Sequence, residues 1–278
     1  MCAHIYHPTD RINIMQPVIN IALRAARQAN EYILQTLDKQ PVSFSDPEAC
    51  AKQIKNLENT VYRVFFDALK KAYPAHHIGE PGEPVSDEHE NSWNISLIHS
   101  PENILRNLPF TGYSITCRQK GKIEHALFIN PITDDEFSAS RGHGAALNGK
   151  RIRVSDIKNL GHSLVASNLL GNTRSMDNPH VGLDLTSELV QSTFNVRSTG
   201  CEAADLAYVA AGKFDAAVLT DVDMSELPAV LLICQEAGVL TGDFKGTPTT
   251  VGTKRIIAAN SKLFKSLIQK VHNYNARF

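Results

Sequence analysis

The 278-residue sequence is short of most features that announce a function on their own. It has five cysteines, an odd number, scattered at positions 2, 50, 117, 201 and 234 without a CxxC pair. That spacing excludes a disulfide framework and a thiolate zinc site; reduced thiols in a cytoplasmic protein are the expectation. No apolar run approaches the roughly 20 residues of a membrane-spanning helix. The opening MCAHIYHPTDRINIM lacks the apolar core of a secretory leader, and no membrane partner is expected. Neither sign of charge dominates: 28 basic side chains face 29 acidic ones, for a formal net charge of -1. Without a global positive field, nucleic acid is expected only as an indirect partner. The eleven histidines include His4 and His7, and the adjacent His76 and His77, but no HExxH. They read as solvated side chains rather than metal ligands.

What is present is ordinary globular material, 42% hydrophobic and 21% charged, long enough to bury a real core. Val18, Ile21, Ala22, Ala25, Ala29 and Ile33 recur at helical spacing and predict a helix from Pro17 to Asp38. SFSDPEACAK reads as a loop or frayed turn. A second helix, carried by Ile54, Leu57, Val61, Val64, Phe65, Ala68 and Leu69, stops near Tyr73-Pro74. The acid-, glycine- and proline-rich stretch from 79 to 91 is an exposed loop. Residues 93 to 105, WNISLIHSPENIL, hand a strand over to a helix, with Ser100 as the expected cap and Pro101 in the first turn. YSITCRQ, EHALFIN and DEFSASR follow as strands, with RGHG and LNGK as tight turns. SLVASNL and DAAVLT are further strands, CEAADLAYVAAG and SELPAVLLICQEAG further helices. A strand meander followed by alternating strands and helices points to layered α/β architecture. The expected division is 1–150 and 151–278, two subdomains forming one unit.

Several segments, in this order, resemble the inositol monophosphatase family, and within it the bacterial SuhB proteins. INIALRAARQAN is similar to the family's first helix, and YPAHHIGE to the approach to its first metal-binding glutamate. DEFSASRGHGAALNGKRIRVS resembles its D-E-x-F-x-A-x-R-G-x-G-A-x-L-N-G hairpin, and RSTGCEAADLAYVAAGKFDA its late G-[ST]-A-A-x-D-L-A-Y-V-A-A-G signature. The resemblance implies an αβαβα sandwich, a homodimer, and magnesium-dependent hydrolysis of small phosphate monoesters such as inositol monophosphate. The SuhB subgroup implies association with RNA polymerase and NusA in ribosomal RNA antitermination.

The same resemblance locates the chemistry, and there the chain departs from its pattern. In the family's W-[IV]-[IV]-D-P-[IL]-D-G-T-T-N-F motif, the two aspartates are Ser96 and His99 here, and the glycine and first threonine are Ser100 and Pro101. Ile98 takes the position of a backbone-carbonyl ligand. Of the family's G-E-E, Glu80 remains and the next residue is Pro81. Counting back from Tyr73 puts the aspartate of the second helix on Lys52; counting back from Gln235 puts the late aspartate on Glu226. Leu219 stands where the family has a substrate-contacting glutamate. Two hard cations bridging a phosphate need several carboxylate oxygens. Glu80 and Glu226 alone leave magnesium mostly hydrated, so no cofactor is expected unless the phosphatase activity survives. Asp221, Asp223 and Glu226 form a D-x-D-x-x-E group able to supply relocated ligands, although capping of the following helix by Asp223 or Ser225 explains it as well. A metal-free anion pocket of Lys52, His99 and the helix terminus is a third expectation. A serine nucleophile at Ser96 lacks the G-x-S-x-G elbow.

Overall fold

The structure is a computed structural model that describes residues 17–81, 83, 88–171 and 179–278. Cys2, His4, His7 and the leader reading fall outside the described residues. Two helices come first, α1 (Pro17–Lys39) and α2 (Pro47–Ala72). The helical spacing of the sequence holds in α1 to within one residue. In α2 it holds at the C-terminal end, where the helix stops at Ala72 before Tyr73, but the start lies earlier: Asp46 caps the helix by accepting from Ala49 N, and Pro47 occupies the first turn, where its missing N–H costs nothing. The segment expected as a loop is thus the start of α2.

A seven-stranded sheet follows, made of β1 (His77–Ile78), β2 (Ser92–Ile95), β3 (Tyr113–Gln119), β4 (Lys122–Asn130), β5 (Asp135–Ser140), β6 (Gly144–Leu147) and β7 (Lys150–Arg151). Its strands lie in sequence order; only β1–β2 is parallel. A short helix, α3 (Pro101–Leu105), interrupts it between β2 and β3. At the β6–β7 turn Asn148 and Gly149 both have positive φ (51° and 73°), the conformation an Asn-Gly hairpin selects.

The second half contains β8 (Leu164–Ser167), α4 (Pro179–Ser192), β9 (Asn195–Arg197), α5 (Glu202–Ala210), β10 (Ala216–Thr220), α6 (Pro228–Ala237), β11 (Leu240–Gly242), β12 (Arg255–Ala259) and α7 (Ser261–Val271). Its five strands form a mixed sheet in the order β11-β12-β10-β8-β9. Alternation along the strands builds the layers. In β4, Leu127 and Ile129 face α1 and α2, while Ala126 and Phe128 face α5 and α6. In β10, Ala217 and Leu219 join that central layer, and Ala216 and Val218 join the layer of α4 and α7. Both sheets are covered on both faces, so their strands read as nearly unbroken apolar runs. The result is the expected αβαβα sandwich. Cys50, Cys117, Cys201 and Cys234 are all free thiols. His76 and His77 are half-buried rather than solvated: His76 stacks on Tyr73 and His77 on His89.

Candidate functional site

The strand-to-helix junction after β2 opens into a small polar cavity of ≈ 170 Å³. β2 ends at Ile95, sooner than the apolar pattern suggests, and the chain then turns through Ser96–Ser100 into α3. Ser100 does not cap α3. It adopts a left-handed conformation (φ 54°) with no side-chain bond to the helix. That region suits the family's glycine and strains any residue with a Cβ. The Ser100 hydroxyl donates instead to the carbonyl of Gly200, and Asn103 Nδ2 donates to Phe110 O (2.7 Å) and Thr199 O (3.0 Å). These bonds tie the junction to the turn ahead of α5.

Ser96, His99, Ser114 and Thr116 line the cavity from the β2–β3 side. His99 Nε2 lies 2.7 Å from Ser114 Oγ and 3.3 Å from Ser96 Oγ. Ser96 Oγ accepts from Ser114 N (2.8 Å) and donates to Leu97 O (2.7 Å). Since the Ser96 proton goes to a backbone carbonyl, the geometry does not activate it as a nucleophile. Burial lowers the His99 pKa to about 4, so its imidazole is neutral at physiological pH.

Carboxylates also line the cavity. Asp223 and Glu226 come from the segment leading into α6, and Glu83 from the loop after β1. Burial, then the Asp223 and Glu202 charges, raises the Glu226 pKa. Asp223 is held low chiefly by Ser225, whose Oγ (2.7 Å) and N–H (2.9 Å) both donate to it. This is a local turn ahead of α6. The helix itself begins at Pro228 after Leu227, with no side-chain cap, so neither Asp223 nor Ser225 caps it as the sequence suggests. Asp221 is exposed with φ 53° and does not line the cavity. Leu219 is fully buried.

Two acids that sequence counting overlooks stand at the junction. Glu58 Oε1 accepts from Ile98 N at 3.1 Å, and burial raises its pKa. Lys52 is exposed, six residues earlier on α2, about 9 Å along the axis and two-thirds of a turn away. Counting by sequence alone missed that Glu58 is the α2 residue turned toward the junction; the signal available was its acid character within an otherwise apolar helix face. Glu83 accepts from Glu80 N (2.8 Å) through Oε2 and lines the cavity, whereas the exposed Glu80 does not. The repeated G-E-P-G-E-P of the loop carried that hint. No lysine or arginine lines the cavity among the described residues, and with His99 neutral the anion pocket expected from Lys52 and His99 is not assembled.

The Inositol monophosphatase family model matches residues 14–276. Among curated relatives, the Nus factor SuhB of Pseudomonas aeruginosa is 36% identical over 261 residues, covering 92% of this chain and 96% of that protein. The Nus factor SuhB of Escherichia coli K12 is 29% identical, covering 93% and 97%. Among solved structures, the extragenic suppressor protein suhB of Bartonella henselae superposes with a TM-score of 0.75 at 25% identity, over 93% of this chain and 99% of that one. An IMPase from Thermotoga maritima superposes with a TM-score of 0.77 at 20% identity, over 94% and 99%, a likeness of fold. With its layers, its LNGK hairpin and its late helix in the family's order, the chain belongs to the inositol monophosphatase family, as a SuhB-like member.

Proposed function

We propose that this protein is a SuhB-like Nus factor that works by binding protein partners, and that its metal-dependent phosphatase chemistry has lapsed. The observation that carries this reading is the floor of the cavity. Where the resemblance puts two metal-bridging aspartates, a buried neutral imidazole is bonded to serine hydroxyls. Hard dications want anionic oxygens; a hydroxyl and a neutral ring nitrogen already bonded to each other are poor substitutes. The phosphate-binding backbone is spent as well. Pro101 has no N–H to offer, and the Ser100 hydroxyl is committed to Gly200. The donor set therefore does not fit a two-metal centre.

The framework supports the partner half of the proposal. Its relatives bear the name Nus factor. The proposed setting is the cytoplasm, the proposed assembly a homodimer, and the proposed partners RNA polymerase and NusA in ribosomal RNA antitermination. Among the described residues no helix is long and apolar enough to cross a membrane.

A second reading, a magnesium-dependent phosphatase acting on inositol monophosphate or similar esters, draws on Glu83, Asp223 and Glu226, which all line the cavity. One experiment separates the two. With inositol monophosphate and an aryl phosphate in millimolar magnesium, turnover should stay well below the usual enzyme range. A rate of roughly 1 per second or faster overturns the proposal. Calorimetric titration with magnesium should show no saturable heat.

A further inference from the structure

The cavity at the junction is lined by three acids, Glu83, Asp223 and Glu226, and by no lysine or arginine among the described residues. We propose that it takes a primary alkylammonium group, an ammonium on a short unbranched methylene stem, carried by a free amine or by a lysine side chain. This rests on the reading that no metal centre occupies the cavity, and it names the occupant that the remaining residues suit.

The first argument is an unused hydroxyl. Thr116 on β3 is 4% exposed and lines the cavity. Alternation along β3 sends Ile115 and Cys117 into the layer of α1 and α2, so Thr116, like Ser114, points to the cavity side. The Ser96 and Ser114 hydroxyls are engaged with His99 and with each other. Thr116 Oγ1 has no hydrogen-bond partner among the described residues, and it is not sealed from the cavity. A buried acceptor left open in this way calls for a donor from the ligand.

Charge is the second argument. Two hydrogen bonds from Ser225 hold the Asp223 pKa low, so this carboxylate stays ionised. Burial first, then the Asp223 and Glu202 charges, raises the pKa of Glu226, which has no ion-pair partner among the described residues. A cation between the two acids relieves that repulsion. Lys254 reaches Asp223 only as the last cause of its lowered pKa, and it does not line the cavity.

Shape and lining select the kind of cation. An ammonium offers three N–H donors and no acceptor, which one free hydroxyl and two carboxylates can receive. Leu97, Ile98, Pro228 and Ala229 supply apolar lining for the stem. At about 30 Å³ for each water-sized group, ≈ 170 Å³ holds about five, the four methylenes and nitrogen of a butylammonium or lysine side chain.

The test is calorimetric titration of the full chain, at neutral pH in EDTA, with n-butylammonium chloride and with N-acetyl-lysine methylamide. Saturable heat is expected. Binding of butylammonium alone identifies free amines as the source, and binding of the lysine derivative identifies a side chain. Affinity should fall at least tenfold in Asp223→Asn/Glu226→Gln and severalfold in Thr116→Val, recover in Thr116→Ser, and stay unchanged in Glu31→Gln, an exposed acid outside the cavity. Valine is isosteric with threonine and suits a strand, so folding is preserved. Undiminished binding by the Asp223/Glu226 and Thr116→Val variants overturns the proposal, as does equal binding of butan-1-ol or of butyltrimethylammonium, which lack the charge and the N–H donors respectively. A magnesium titration without EDTA separates the two failures. Silence of magnesium and of both amines sinks this inference alone, whereas saturable magnesium heat sinks the metal-free reading with it.

Discussion

His99 decides how the cavity responds to pH, because burial holds its pKa near 4 while an unfolded chain protonates it near its ordinary 6.5. Below 6.5 the unfolded state takes up a proton that the folded state refuses, so His99 makes the fold less stable as pH falls toward 4. Asp205 on α5 acts in the opposite sense. Burial raises its pKa from 3.8 to about 7, and its Oδ2 has no partner. Between those values the folded state keeps a proton that the unfolded state releases, so stability falls as pH rises. Over pH 4–6.5 the two slopes, each at most about 1.4 kcal/mol per pH unit, nearly cancel. Relative to wild type, Asp205→Asn should therefore gain stability as pH rises through this window, and His99→Gln should lose it. Urea melts at pH 5 and 6.5 measure both; a difference of the same sign for the two variants contradicts the assignment. Putting carboxylates back is a second residue-scale test. In Ser96→Asp/His99→Asp, two buried like charges face Glu226 and Asp223 across a small cavity. Without metal the variant should melt several degrees lower than wild type. Millimolar magnesium should recover much of that, since a ligand at a hundred times its Kd adds about 2.7 kcal/mol. Wild type should not respond, and a magnesium-dependent rise in its Tm would favour the phosphatase reading.

At the scale of elements, local periodicity made most of the fold legible. The spacing of α1 and the residue types of β3 recover their bounds within a residue or two, because one face of α1 is buried all along its length and β3 is an internal strand. Misreadings cluster where a proline or a short polar residue serves two purposes. Pro47 looks like a breaker but follows the Asp46 cap; Asp223 looks like a cap but closes a turn five residues ahead of α6. The sequence pattern raised no expectation for α4, α7, β9, β11 or β12, although Asn260 caps α7 by accepting from Lys262 N and Leu263 N. The site was less legible, because it depends on which residues three separate segments bring together. Neither Glu58 nor Glu83 lies in the motif that marks the junction, and only the packing of α2 and the loop after β1 places them. Removing the cap tests the α2 account: Asp46→Ala should cost about 1 kcal/mol in a chemical melt, and Asp46→Ser much less. Equal stability of Asp46→Ala and wild type would show that Pro47 alone starts the helix.

For the whole molecule, the decisive contrast is between what has been kept and what has been replaced. The αβαβα layers retain large buried side chains in both sheets, from Phe128 and Phe137 to Ile256 and Ile257. At the junction, Ser96 and His99 stand where the resemblance puts two aspartates and Pro101 where it puts a threonine; the first two bond to each other and to Ser114, and the proline rigidifies the turn. An active two-metal cavity stores like-charge repulsion that bound cations relieve. Under the proposed reading, replacing the carboxylates removes that repulsion and leaves a fold whose stability does not depend on metal. A surface presented by such a fold should bind its partners equally well with and without magnesium. Tagged protein should therefore sediment as a dimer and recover NusA or RNA polymerase from its own cell extract, to the same extent in magnesium and in EDTA. Loss of recovery in EDTA, with the dimer intact, would mean that a cation still organises the binding surface. Recovery of neither partner, together with phosphatase turnover, would replace the binding role with an enzymatic one.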